Sequence, residues 1–165
     1  MSDKTHQRYM NMALEQARTA MENGEVPTGC VIVKIDRDPS NGEEPATTRV
    51  LGKAHNQMEM LKDPTAHAEM IAITQAASAI GDWRLTDTVL YVTKEPCCMC
   101  AGAIIHARIP LVVFGAPDPQ RGAVSVFNIL NHPSLNHRCE VISGVMQEEC
   151  LTLLQDFFKA RRVDK

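Results

Sequence analysis

Aromatic residues are scarce in this chain of 165 residues: one Trp, two Tyr and four Phe, 4% in all. A protein that grips single-stranded nucleic acid by base stacking normally carries more. A basic surplus is missing too. The 17 Lys and Arg face 20 Asp and Glu, and the formal charge is −3, so a polyanion must be met by a local patch rather than by the whole surface. Lys159, Arg161, Arg162 and Lys165 offer one such patch, although they read equally as a solvated helix end complementing its own dipole. No apolar run approaches the length of a membrane span. Residues Met1 to Met10 are polar and lack the apolar stretch of a secretory signal. The expectation is a cytoplasmic protein with no membrane partner. Internal repeats and low-complexity tracts are absent. With 44% hydrophobic and 22% charged residues, the chain has an ordinary globular composition, and its length suits a single domain over residues 1–165.

Cysteine, by contrast, is plentiful: Cys30, Cys97, Cys98, Cys100, Cys139 and Cys150. Clustered cysteines in a cytoplasmic chain point to metal or catalysis more than to disulfides. Adjacent Cys97 and Cys98 are poorly placed to bridge one another. Cys30, Cys139 and Cys150 read as small buried hydrophobes.

Helical spacing of Met10, Ala13, Leu14, Ala17 and Met21 predicts a helix over about residues 5–23, ended by Asn23-Gly24. Cys30–Ile35 reads as a buried strand, residues 36–48 as a long surface loop, and Arg49–His55 as the returning strand of a hairpin. An Ala- and Met-rich helix follows over Thr65–Ile80, stopped by Gly81. Thr88–Thr93 is a strand. Pro96 is expected in the first turn of a helix running to about Ala107. Leu111–Phe114 and Val141–Ser143 are strands. Met146–Arg162 closes as an amphipathic helix with Leu151, Leu154, Phe157 and Phe158 on one side. Strand–helix–strand units favour parallel pairing through a crossover. The fold expected is α/β, a sheet sandwiched by helices, with the two central helices starting near one edge.

Those two helix starts carry the chemistry. Cys97 and Cys100 stand three apart and share a face, at a helix N-terminus that favours the metal-binding thiolate. Cys98 is turned by about 100° and is expected to face the core. His67 opens the other helix. One imidazole and two thiolates suit zinc, and three protein ligands leave the open position of a catalytic site. Glu69, two residues beyond His67, would face that position and move protons beside a Lewis acid. Plainer readings exist for His67, a satisfied helix-start histidine, and for Glu69, a first-turn carboxylate on the helix dipole. Asn56 reads as a turn residue or as a substrate ligand. His-x-Glu alone is weak and Pro-Cys-x-x-Cys alone moderate, but the two together on helix starts form the signature of zinc-dependent nucleobase deaminases.

With Glu25-Val-Pro-Thr-Gly, Asp63-Pro-Thr-Ala-His-Ala-Glu, Glu95-Pro-Cys-Cys-Met-Cys-Ala-Gly-Ala, Phe114-Gly-Ala-Pro-Asp, Asn136-His-Arg and Asp156-Phe-Phe-Lys-Ala-Arg-Arg, the chain resembles the cytidine deaminase-like superfamily, and within it the bacterial tRNA-specific adenosine deaminases, from about residue 8 to 162. The resemblance implies a three-layer α/β/α sandwich around a mixed five-stranded sheet, a homodimer, and one Zn2+ per subunit held by His67, Cys97 and Cys100. It implies that zinc-bound hydroxide converts wobble adenosine to inosine in the tRNA anticodon stem-loop, with Glu69 as proton shuttle. Asn56 falls on a base-contacting amide, Val26 on an apolar pocket wall, and Asp118 on a residue near the substrate backbone. Three features depart from the pattern: Lys94 stands where an aliphatic residue is expected, the turn Gly122-Ala-Val-Ser-Val is one residue short, and the 36–48 loop is long. A deaminase of free bases or nucleosides such as guanine shares the same motif and is the alternative. A non-catalytic zinc module that binds RNA is a further one, against which the presence of Glu69 argues.

Overall fold

Strands buried on both faces must read as nearly continuous apolar runs, and Cys30–Val33, Val89–Val92 and Val112–Phe114 do so with almost no exposed surface. The computed structural model describes residues 1–36 and 47–163. Its elements run α1 (Asp3–Glu22), β1 (Gly29–Asp36), β2 (Thr47–His55), α2 (Met58–Leu61), α3 (Ala68–Ile80), β3 (Thr88–Lys94), α4 (Cys98–His106), β4 (Leu111–Ala116), β5 (Glu140–Ser143) and α5 (Gln147–Val163). The loop expected over 36–48 lies outside the described residues except at its ends, and so does Lys165 of the basic C-terminus.

The sheet order is β2-β1-β3-β4-β5. β1 runs antiparallel to both neighbours, while β3, β4 and β5 run parallel to one another. The sheet is therefore mixed and five-stranded, as expected. The crossover reading holds for β3-α4-β4, whose strands are adjacent. It needs correcting for β2-α3-β3: those strands point the same way but are separated by β1, which both flank. β5 joins β4 in parallel with no intervening helix; residues 117–139 supply the connection, pinned by buried Ala123, Leu130 and Cys139.

Side-chain alternation along each strand sorts the core into two layers. Cys30, Ile32, Leu90, Val92, Val112 and Phe114 pack with Ala68, Ala72, Ala101 and Ile104 of α3 and α4. Val31, Val33, Val89, Tyr91 and Val113 pack with Tyr9, Met10, Ala13 and Leu14 of α1 and with Cys150 and Leu154 of α5. Each fully buried Val, Leu or Ile side chain contributes about 1.5–3 kcal/mol over exposure, so neither layer of helices is dispensable. α1 lies so near the start of β1 that a Cβ on Gly29 would stand 2.0 Å from the Ala13 carbonyl oxygen. Among the described residues no helix is long and apolar enough to cross a membrane.

Two helix starts differ from expectation. The helix read from Thr65 begins at Ala68, because Asp63 Oδ1 accepts from both the backbone N–H and the hydroxyl of Thr65 at 2.8 and 2.7 Å, holding a turn there instead. Pro96 lies outside the first turn of α4, since Cys97 is the N-cap and Cys98 the first helical residue. The short α2 was not expected from the sequence.

Candidate active site

The fold brings three strand ends to one edge of the sheet. β2 ends at His55 and β3 at Lys94, while antiparallel β1 begins there at Gly29. The residues just outside these ends, Val26, Thr28, Asn56 and Glu95, meet the N-termini of α3 and α4. His67 is the N-cap of α3 and Cys97 that of α4, both with extended backbone, φ −76° and ψ 152° and 173°. A residue in that conformation turns its side chain off the helix axis toward the neighbouring start.

His67 Nδ1 lies 3.7 Å from Cys97 Sγ and 3.5 Å from Cys100 Sγ. The three ligand atoms all lie within 4.8 Å of one another. A tetrahedral zinc, with Zn–N of about 2.0 and Zn–S of about 2.3 Å, needs N···S near 3.5 Å and S···S near 3.8 Å, so the donor set fits the ion in chemistry and in spacing. Electrostatics follow the crowding. The hydrogen bond from Cys100, helped by one from His67, pulls the Cys97 thiol down to about 3. The same pairing with Cys97, together with burial, pushes Cys100 up. His67 is raised by its bond to Cys97 against the opposing effect of burial. Of the three groups, Cys97 is the one that ionises first.

Glu69 is 3% exposed, and its Oε2 is buried without a hydrogen-bond partner. Burial raises its pKa. A buried carboxylate oxygen left unmatched costs about 1–3 kcal/mol or more, and groups of that kind concentrate where a ligand or solvent completes the set. This orphaned oxygen is the second observation, after the donor set, that fits a metal with an open position.

Beside these groups is a cavity of about 260 Å³. Val26 and Asn56 line it, as read from the sequence. Asn56 Oδ1 accepts the Ala68 N–H at 2.9 Å, which fixes the start of α3 and hence His67. Its amide nitrogen is left without a partner among the described residues. Asp118 is not among the lining residues. Its Oδ1 accepts from the backbone of Gln120 and Arg121 at 3.0 Å each, and Lys94 Nζ donates to Oδ2 at 2.5 Å. Cys98 is exposed. The expectation that it faces the core is thus corrected: the 100° step leads from the sheet-facing stripe of Cys100, Ala101 and Ile104 out to solvent. Cys30, Cys139 and Cys150 are buried free thiols, as expected.

Several lining residues were given no role from the sequence. Glu95, within the cysteine motif, is 3% exposed. It accepts from the backbone of Asp118, Val124 and Ser125 and from the Ser125 hydroxyl, at 2.6 to 2.9 Å. Although burial opposes it, those bonds hold its carboxyl below the usual range. A Cβ on Gly122 would stand 2.2 Å from Glu95 Oε1, so only glycine lets the loop close on that carboxylate. Phe158, assigned from periodicity to the buried side of α5, is half exposed and lines the cavity, whereas Phe157 is buried. Met58 of α2 and Arg121 also line it; neither carries a signal in the sequence.

Comparisons with known proteins agree on one class. The family model for MafB19-like deaminases matches residues 4–162. The tRNA-specific adenosine deaminase of Bacillus subtilis is 44% identical over 158 residues, 95% of this chain and 91% of its own. A structure solved in a study of A-to-I editing by tRNA:A34 deaminases at the wobble position of transfer RNA superposes with a TM-score of 0.78 at 40% identity, over 89% of this chain and 99% of that one. The guanine deaminase of Bacillus subtilis superposes less closely, with a TM-score of 0.58 at 28% identity over 96% and 95% of the two chains.

Proposed function

Because this chain belongs to the MafB19-like deaminases and groups with the tRNA-specific adenosine deaminases, we propose that it hydrolyses adenosine to inosine in tRNA, at the wobble position of the anticodon stem-loop. The products are inosine and ammonia. The observation that carries the chemistry is the orphaned Glu69 Oε2 beside the ligand atoms of His67, Cys97 and Cys100. The substrate is carried by the relatives, which are more similar to this chain than the guanine deaminase is.

His67, Cys97 and Cys100 hold one Zn2+ per chain. When bound, zinc supplies Lewis acidity that brings the pKa of a water toward neutrality. Glu69 does the proton work. Its buried carboxylate, already biased toward holding a proton, takes one proton from the attacking water and passes it to the adenine ring nitrogen; it then takes the second from the hydroxyl now on C6 and gives it to the amine, so that a carbonyl forms as ammonia leaves. Asn56, fixed through Oδ1, keeps its amide N–H groups for the base. Val26 and Phe158 give apolar walls, and Asp118 orders the loop beside the substrate backbone. Extruding a base from an anticodon loop costs little, since it is unpaired there. The protein acts in the cytoplasm as a homodimer, to be checked by light scattering.

The test is inosine formation in an anticodon stem-loop carrying wobble adenosine, with free guanine as the parallel substrate. Inosine from the stem-loop supports the proposal. Ammonia from guanine and no inosine would move the chain to the free-base deaminases.

A further inference from the structure

Two cations line the cavity, Lys94 and Arg121, and their circumstances differ. Lys94 is neutralised, its ammonium being paired with the Asp118 carboxylate. That carboxylate is otherwise spent inside its own loop, on the backbone of Gln120 and Arg121. The exposed Arg121 guanidinium has no hydrogen bond or ion pair among the described residues. Its backbone, however, is braced. The Arg121 N–H is held by Asp118, and the neighbouring Gly122 is closed upon Glu95, which also secures Val124 and Ser125.

An unpaired guanidinium on a fixed loop is ready to take an anion through two parallel N–H donors. A strand that puts one base into the cavity necessarily carries its own phosphates across the rim. There the Lys94–Asp118 pair contributes no net charge and Arg121 contributes one. We infer that Arg121 binds a backbone phosphate of the RNA strand beside the target nucleotide, and that Asp118 withholds Lys94 from that contact. The inference rests on the tRNA reading above and adds to it the residue that meets the strand.

The experiment measures the salt dependence of stem-loop binding by fluorescence anisotropy, in a Glu69→Ala parent so that the base is not consumed. Three changes are made in that parent: Arg121→Gln, the charge-neutral double change Lys94→Met with Asp118→Asn, and Arg138→Gln. Arg138 is the control, since it lines a separate hollow at the far end of the strands with Thr88 and Leu111. Arg121→Gln should weaken binding on the order of tenfold and make the slope of log K against log salt shallower by about 0.7–1, the value of one phosphate contact. The double change and the control should keep the parent slope. A parent slope in Arg121→Gln overturns the inference alone, as does a slope lost in the double change, which would make Lys94 the contact. A parent that does not bind the stem-loop overturns the tRNA reading with it.

Discussion

The floor of the cavity draws its groups from two helix starts, with His67 and Cys97 thirty positions apart and each an N-cap. The rim draws on four separate pieces of chain: Val26 before β1, Lys94 at the end of β3, Arg121 in the long β4–β5 connection, and Phe158 near the end of α5. Floor residues are held by backbone geometry and by one another. Of the rim residues, Arg121 is held through an intermediary, the Glu95 carboxylate, on which the 118–125 loop is strung. One consequence is energetic. The floor keeps an unsatisfied carboxylate oxygen, whereas Glu95 accepts four hydrogen bonds. The floor thus retains unspent capacity for a reacting ligand, and the rim spends its capacity on shape.

Substitutions can break that contrast, and the largest effect belongs to the floor. Glu69→Ala should reduce turnover by roughly a hundred- to ten-thousand-fold while zinc content, measured by atomic absorption, stays at that of the parent. Zinc lost together with activity would make Glu69 a ligand and remove the open position. Cys100→Ser comes next: metal content and turnover should fall together, since the ligand set has no spare thiolate and Cys98 faces solvent. Metal retained in that variant would show that Cys98 or another group substitutes.

Rim changes should be milder and of another kind. Glu95→Gln replaces a carboxylate holding three backbone donors, so stability should drop by about 1–3 kcal/mol and KM should rise by a larger factor than kcat falls. Equal effects on both would place Glu95 in the chemistry. The same residue gives a pH prediction. Glu95 lies below its ordinary 4.5, and Asp118, through Lys94 and two backbone donors against the cost of burial, lies below its ordinary 3.8. In that range the unfolded chain binds more protons than the folded one, so stability increases with pH. The contribution is present above those ordinary values and is lost as pH falls through the depressed ones. Thermal melts from pH 6 down to pH 3 should show it, with a shallower acid decline in Glu95→Gln. The smallest effect is expected from removing residues 159–165. Arg161 is already engaged, stacked over Phe157 and donating to the Gly24 carbonyl at 2.8 Å. The truncation should therefore weaken stem-loop binding less than Arg121→Gln does. A larger loss would move the main RNA contact to the C-terminal end. The cut must spare Phe157, which is part of the core.

What was legible followed from local rules. Periodicity marked α1, α5 and the buried strands, because burial on one or two faces repeats along the chain with a fixed spacing. His67-Ala-Glu69 and Cys97-Cys-Met-Cys100 each marked one half of the floor, because a cap residue and one two or three positions on need only one turn of helix to come together. Illegible were the turn at Asp63, which moved a helix start by three residues; the outward face of Cys98; and α2, a single turn held by the Glu25 carboxylate, which accepts the Met60 N–H at 2.8 Å across 35 positions.

The sequence by itself carried the two halves of the candidate donor set, His67-Ala-Glu69 and Cys97-Cys-Met-Cys100, and the alternation that makes a two-faced sheet, since each depends on residues within a turn or a strand of one another. Tertiary structure decided the rest. It placed β1 between β2 and β3, so that two distant helix starts share an edge. It folded a 23-residue connection over Glu95, and it swung Phe158 away from the core side to the cavity. These outcomes depend on contacts between residues tens of positions apart, whose energy is set by where whole elements pack and leaves no periodic mark on the chain.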